Sequence, residues 1–297
     1  MTPAQELTRR FGGRWMGSYG VIPTPGHAKR DQGTTIHDRA DGKGVVINCF
    51  NDDWRNVRAA LGLSHDQQPL TKQQKLEFTM RRAAAQRSRD GAVAKRVDRA
   101  TALWNAAVTP EPAGAVRRYL ATRGIPDAVA EQAIAFDALR ECRVRHGQPG
   151  MLVRACDVAG STRAVQLTKL RRDGLGKCGN PSRLTFGSLR NCSVPLFSPR
   201  DGTLAITEGT EDALAFFALY GIPAWPVLGT ANVVSFVPPR GLRTLYIATD
   251  GDVAGRECAD KLFARLRRQL RCIIATAPEG LDWADVAASR RGGIGDD

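Results

Sequence analysis

The sequence predicts an α/β chain. Its last third reads as a central, mostly parallel sheet flanked by helices, preceded by an α+β segment and, at the start, a small β-rich domain. The sheet is predicted by three short apolar runs that lead into carboxylates: Leu204–Thr207 into Glu208, Leu245–Thr249 into Asp250, and Ile273–Ala275 toward Asp282. Segments with helical spacing separate these runs, the pattern of strands joined by crossover helices. The β-rich start is predicted by glycine-punctuated polar and β-branched runs.

Composition bounds the function. The 297 residues suffice for two modest domains with a substantial core. No apolar run is long enough to span a bilayer, so no membrane association is expected. Met1–Glu6 lacks the basic start and apolar stretch of a signal peptide. Seven cysteines, an odd number without paired spacing, point to reduced thiols in the cytoplasm rather than a disulfide framework. A formal net charge of +13 favours a polyanionic partner, most often nucleic acid. No Gly-x-x-x-x-Gly-Lys-Ser/Thr loop occurs, so the chain carries no helicase motor of that type.

Taken in order, residues 1–63 form the first domain. Thr34–His37 and Val45–Phe50 flank a turn at Asp41–Gly44 and read as a hairpin, with Lys29, Arg30, Arg39 and Lys43 as a basic face. Residues 64–110 are a basic helical linker. Helix is predicted from 66 to 107, broken in two at Ser88–Gly91, with Lys72, Lys75, Arg81, Arg82, Arg87, Arg89, Lys95, Arg96 and Arg99 on its polar face. Thr109-Pro110-Glu111-Pro112 marks a boundary. Residues 111–200 carry two short helices, Ala115–Arg123 and Asp127–Ala133, then a hairpin of Met151–Asp157 with Ala164–Leu170, then a basic, glycine-rich loop. In residues 201–291, Gly221 stops the first helix and Pro226 marks an edge strand. Ala254, Cys258, Leu262, Leu266 and Leu270 stripe a long helix, and the tail from Gly292 is expected to be disordered.

In an open parallel sheet, functional groups gather past the carboxyl ends of the strands. Close carboxylates repel unless protonated or neutralised by a cation, and hard oxygen donors suit Mg²⁺ or Mn²⁺. Gly209 and Gly251 allow tight turns at the acids, and Asp250 and Asp252, two apart, can face the same way.

The phrases Glu208-Gly209-Thr210-Glu211-Asp212-Ala213 and Asp250-Gly251-Asp252-Val253-Ala254-Gly255, with the late pair Asp282 and Asp285, resemble the Toprim domain. Bacterial-type primases, type IA and type II topoisomerases and some nucleases share that module. The resemblance covers about a third of the chain. It implies Glu208, Asp250 and Asp252 as catalytic residues, which with Asp282 would bind Mg²⁺ or Mn²⁺. Glu211, Asp212 and Asp285 would support these ligands from outside.

Tyr119-Leu120-Ala121-Thr122-Arg123-Gly124-Ile125 resembles the start of the primase catalytic core. By position, Lys169, Arg171, Arg172, Lys177 and Arg183 resemble the primase segment lining the template and nucleotide groove. The first domain resembles the primase zinc domain, with Cys-Pro-x-His before the hairpin and two cysteines after it. Here Thr24 replaces the first cysteine, and Asp52 or Asp53 the last ligand. Only His27 and Cys49 remain of four nitrogen or sulfur ligands, so Zn²⁺ is not expected.

The resemblance implies primer synthesis on a single-stranded DNA template from nucleoside triphosphates, in phage, plasmid or mobile-element replication, with any replicative helicase on another chain. The alternatives are a Toprim nuclease using the same acids and a non-catalytic DNA-binding accessory factor. A topoisomerase would need a nucleophilic tyrosine, and Tyr19, Tyr119, Tyr220 and Tyr246 all fall at structural positions.

Overall fold

The computed structural model describes residues 1–28, 30–39, 44–63 and 72–292. Lys29, the predicted turn at 41–43 with Lys43, the predicted helix start at 66–71 and the tail 293–297 lie outside the described residues, as do the side chains of Lys72, Lys75, Arg81 and Arg82. The chain divides into two compact units, residues 1–88 and 89–297.

The first unit opens with α1 (Pro3–Arg10), which the β-rich reading did not anticipate. Its signal is local: Thr2 caps the helix, Gln5 reciprocates onto the Thr2 backbone, and Pro3 occupies the first turn, where its missing N–H costs nothing. Then follow β1 (Arg14–Trp15), β2 (Gly20–Ile22), β3 (Thr34–Asp38), β4 (Val45–Cys49) and α2 (Trp54–Ala60). The four strands form an antiparallel sheet in sequence order. The predicted hairpin is β3 with β4, in a register that pairs Thr34 with Cys49. Gly20 is where α1 meets the sheet, since a Cβ there would lie 1.7 Å from the Thr8 hydroxyl. Ala4, Ile22, Ile36, Val45, Val57 and Leu61 make the small core.

Next comes α3 (Lys72–Asn105), one continuous helix of 34 residues, with no break at Ser88–Gly91. A lone glycine in a helix costs only about 1 kcal/mol relative to alanine. The alanine, arginine, glutamine and lysine around Gly91 are helix formers and outweigh that cost.

The second unit continues with α4 (Ala115–Thr122), α5 (Asp127–Ala135), β5 (Leu139–Arg143), β6 (Pro149–Cys156), β7 (Thr162–Lys169) and β8 (Arg183–Gly187). The four strands form an antiparallel meander. One face buries Leu152, Val165 and Leu167 against Ala100 and Trp104 of α3. The other contributes Met151, Val153 and Ala164 to the largest core.

After it come β9 (Thr203–Thr207), α6 (Thr210–Tyr220), β10 (Ala224–Pro226), α7 (Thr230–Ser235), β11 (Thr244–Thr249), α8 (Val253–Leu266), β12 (Arg271–Thr276) and α9 (Trp283–Gly292). These strands make an all-parallel sheet in the order β10-β9-β11-β12. Side chains alternate across it. Leu204, Ile206, Leu245 and Ile247 pack with Val233 of α7 and with Cys258 and Leu262 of α8. Ala205 and Ala248 face the other way and leave room for Phe216 and Phe217 of α6 and Trp283 of α9. Each such buried ring contributes on the order of 2 to 3 kcal/mol. From β9 the chain passes to the outer strand β10, then returns to β11 on the far side of β9. The strand order therefore reverses between β9 and β11, and a crevice opens at their carboxyl ends.

Candidate active site

Glu208 leaves β9 and Asp250 leaves β11, so both stand at this reversal. Asp252 caps α8, its Oδ1 accepting from the Gly255 N–H at 2.6 Å. Gly255 packs against the carboxylates of Glu208 and Asp252 and the backbone of Asp250. A Cβ there would lie 2.5 Å from the Asp250 carbonyl oxygen and 3.2 Å from both Asp252 Oδ1 and Glu208 Oε1. Gly251 is equally confined, its Cβ position 1.9 Å from the Pro278 carbonyl oxygen.

The electrostatics follow from this crowding. Burial, then the charges of Asp250 and Asp252, push the Glu208 carboxyl up to about 7. Burial, then Asp282 and Asp252, push Asp250 up to about 6. Glu208 Oε1 and Asp250 Oδ1 are buried without a hydrogen-bond partner. Among the described residues no group of three or more His, Cys, Asp or Glu side chains already stands as a coordination shell. The donor set nevertheless fits a hard divalent cation, on two observations: two orphaned carboxylate oxygens, and a cradle that any side chain at position 255 would fill.

Asp282 and Asp285 begin α9 and bond to each other reciprocally, the Asp285 N–H donating to Asp282 Oδ1 at 2.7 Å. Both are gripped by Arg123, from the end of α4, which donates to Asp282 at 3.0 and 2.8 Å and to Asp285 at 3.1 Å. Asp282 thus faces Asp250 electrostatically while its oxygens are held by a guanidinium.

Glu211 and Asp212 are both buried in the first turn of α6 but in opposite surroundings. Burial would raise Glu211, but Arg183 and then Lys177 outweigh it and hold the carboxyl down to about 2. Lys177 Nζ lies 3.1 Å from Glu211 Oε1, Arg183 Nη2 lies 2.8 Å from Oε2, and Tyr119 donates its phenolic hydrogen to Oε1. Among the described residues Asp212 forms no ion pair, and burial followed by Asp250, Asp282 and Glu211 pushes it up to about 8.

The basic loop therefore splits. Lys177 and Arg183 turn inward onto Glu211, beside the acids. Arg171 pairs with Asp173 at 2.6 Å, and Arg172 donates to the His146 carbonyl at 2.9 Å. Lys169 is half-buried, with Gly179 packed over its ammonium. Two residues at this site had no sequence-derived role, Arg123 and the hydroxyl of Tyr119. Their one signal was membership of the Tyr119–Ile125 phrase.

In the first unit, the residues around His27 and Cys49 do not make a zinc set. His27 sits between Asp31 at 3.0 Å and Asp52 at 3.7 Å. Buried Thr34 donates its hydroxyl to Thr24 at 3.2 Å and approaches Cys49 Sγ at 3.4 Å. One sulfur and one imidazole among hydroxyls and carboxylates is a hydrogen-bonded knuckle, not a closed tetrahedron.

Residues 203–292 match the family model described as the Toprim domain. This match covers the parallel sheet and its helices, which follow an antiparallel α+β segment. Residues 94–196 match a model described as a domain of unknown function, DUF7146. Among solved structures, the chain is similar to the primase fragment of the bacteriophage T7 primase-helicase protein, at 16% identity and TM-score 0.44, over 58% of this chain and 70% of that one. It is also similar to the RNA polymerase domain of Mycobacterium tuberculosis primase DnaG, at 19% identity and TM-score 0.40, over 68% and 82%. A third is a DNA primase domain from Pseudomonas aeruginosa, at 18% identity and TM-score 0.35, over 52% and 54%. No curated protein matches the chain. Among the described residues, no helix is long and apolar enough to cross a membrane.

Proposed function

We propose that the chain is a DNA primase-like nucleotidyltransferase, synthesising short primers on single-stranded DNA from nucleoside triphosphates in the cytoplasm, in phage, plasmid or mobile-element replication. The observation that carries this reading is the packing of the Glu208 and Asp252 carboxylates and the Asp250 backbone against Gly255, a few residues from the Glu211 carboxylate that holds Lys177 and Arg183. An acid pocket beside basic side chains is what transfer of a nucleotidyl group requires, because negative charge gathers on the entering and leaving oxygens. The Tyr119–Ile125 phrase favours synthesis over cleavage.

Glu208, Asp250 and Asp252 would hold Mg²⁺ or Mn²⁺, which when bound supplies charge neutralisation for both oxygens. Asp282, once released by Arg123, is the fourth carboxylate within electrostatic reach. In the alternative arrangement Glu208 does not ligate the ion but takes the proton of an attacking 3′ hydroxyl. Lys177 and Arg183 orient anionic oxygens, with Glu211 fixing where their charges sit.

The test is incubation of the protein with single-stranded DNA, labelled nucleoside triphosphates and Mg²⁺ or Mn²⁺. New oligomers, lost in Glu208→Gln and Asp250→Asn, support the reading. Degraded template lost in the same variants replaces it with a nuclease. DNA binding without either product replaces it with an accessory factor.

A further inference from the structure

The parallel sheet has a second charged edge, at the ends of the strands remote from the acids. Each of three adjacent strands is entered through a turn carrying arginine: Arg200 before β9, Arg240 and Arg243 before β11, Arg267 and Arg268 before β12, which itself starts at Arg271. Backbone pairing sets these entrances side by side. Thr244 is the register partner of both Thr203 and Arg271. The Arg243 N–H donates to the Gly202 carbonyl at 2.8 Å, and the Arg271 N–H to the Arg243 carbonyl at 2.9 Å. Neighbouring strands lie about 4.8 Å apart, so the ledge is on the order of 10 Å wide across the strands.

All six arginines are exposed. None forms an ion pair with a described carboxylate, and Arg243 Nη2 donates instead to the backbone carbonyl of Asp201. Asp201 is the one acidic residue in the three turns. Like charges gathered without counter-charge repel, and a polyanion relieves the repulsion. Guanidinium forks match phosphate oxygens in pairs. The turns contain no aromatic residue, whereas surfaces that track single strands stack bases on aromatic rings. A duplex keeps its bases stacked inside and presents phosphates outward, which suits a ledge of charge alone.

We propose that this ledge binds the phosphate backbone of duplex DNA. The acids lie one strand length away, roughly 17 to 20 Å at about 3.3 Å per residue. The contact therefore falls outside the acid pocket and would hold a double-stranded flank behind the sheet. It does not depend on which reaction the acids perform.

The test is fluorescence anisotropy of a short labelled DNA duplex with the full chain, against Arg267→Glu/Arg271→Glu and Arg240→Glu/Arg243→Glu. Circular dichroism checks folding, and the matching glutamine pairs serve if charge reversal unfolds the protein. Each folded pair should weaken duplex binding about tenfold and flatten the dependence of log K on log salt by roughly 2, given a slope of about 0.9 per phosphate contact. Binding of a labelled oligo-dT should change less. Absence of duplex binding by the parent, unchanged affinity and slope in the folded pairs, or equal losses for duplex and oligo-dT would overturn the proposal. Glu208→Gln should keep duplex binding, so failure of the ledge and failure of the nucleotidyl-transfer reading are read separately.

Discussion

Arg123 grips Asp282 through both carboxylate oxygens, at 3.0 and 2.8 Å, across 159 residues of chain. The pair joins the end of α4 to the start of α9 and keeps one acid of the crevice on a protein cation. Arg123→Lys keeps the charge but loses the planar fork. Both side chains are about a quarter to a third exposed, so the expected loss is modest, about 1 to 2 kcal/mol. Thermal denaturation at neutral pH should show a drop of about 2 to 6 °C. An unchanged transition would mean the latch carries no stability.

Glu211→Gln should be more damaging. It leaves Lys177 and Arg183 without their counter-charge, and removing one partner of a buried pair costs about 3 to 5 kcal/mol. The cations are 30% and 40% exposed, which brings the expectation to about 2 to 3 kcal/mol. The pH dependence has a definite sign. A carboxyl held down to about 2 contributes fully above its ordinary 4.5 and loses that contribution as pH falls toward 2. Denaturant titrations of parent and variant should therefore differ most at neutral pH and converge in acid.

Glu208 should behave in the opposite sense. Its carboxyl is raised to about 7, so the folded state binds more protons than the unfolded between 4.5 and 7, and stability declines as pH rises through that window. In chelator at pH 8, Glu208→Gln should be more stable than the parent by about 1 to 2 kcal/mol, a figure reduced for the half-open setting of the group. The gain should vanish below pH 4.5. Millimolar Mn²⁺ should raise the parent's melting temperature and leave the variant's unchanged.

Gly255→Ala tests the cradle directly. Its Cβ would strike the Asp250 carbonyl oxygen at 2.5 Å and crowd two carboxylate oxygens at 3.2 Å. Calorimetric titration should show Mn²⁺ affinity reduced at least tenfold, with a stability loss of about 1 to 3 kcal/mol. Gly221→Ala is the control. It sits at φ 67° with open space around it, so it should cost about 1 kcal/mol and leave Mn²⁺ binding intact.

The parallel sheet was readable because strand ends, glycines and acids coincide within a few residues of sequence: Thr207-Glu208-Gly209 and Thr249-Asp250-Gly251 each encode a turn and a functional group together. The roles of Arg123 and Glu211 were not readable. Their partners lie 159 and 28 to 92 residues away, and no local spacing announces a pairing that only tertiary packing creates. The helix break placed at Ser88–Gly91 overweighted one glycine against the helix formers around it. The helix α1 hid behind a glycine-rich composition although its capping box, Thr2 with Gln5, was written in the first five residues.

Gly124, in the turn after α4, lies so close to α9 that a Cβ would meet the Ala288 amide at 2.5 Å, and α9 also inserts Trp283 and Ala284 beneath α6. The earliest short helix of this unit thus waits for the last. On the ribosome, α4 emerges long before the segment that covers it, and contacts of such sequence separation close slowly. Nascent chains of this protein would expose the flank of α6 until α9 has been made, an interval in which a chaperone, or a message cut short before α9, decides whether the domain closes at all.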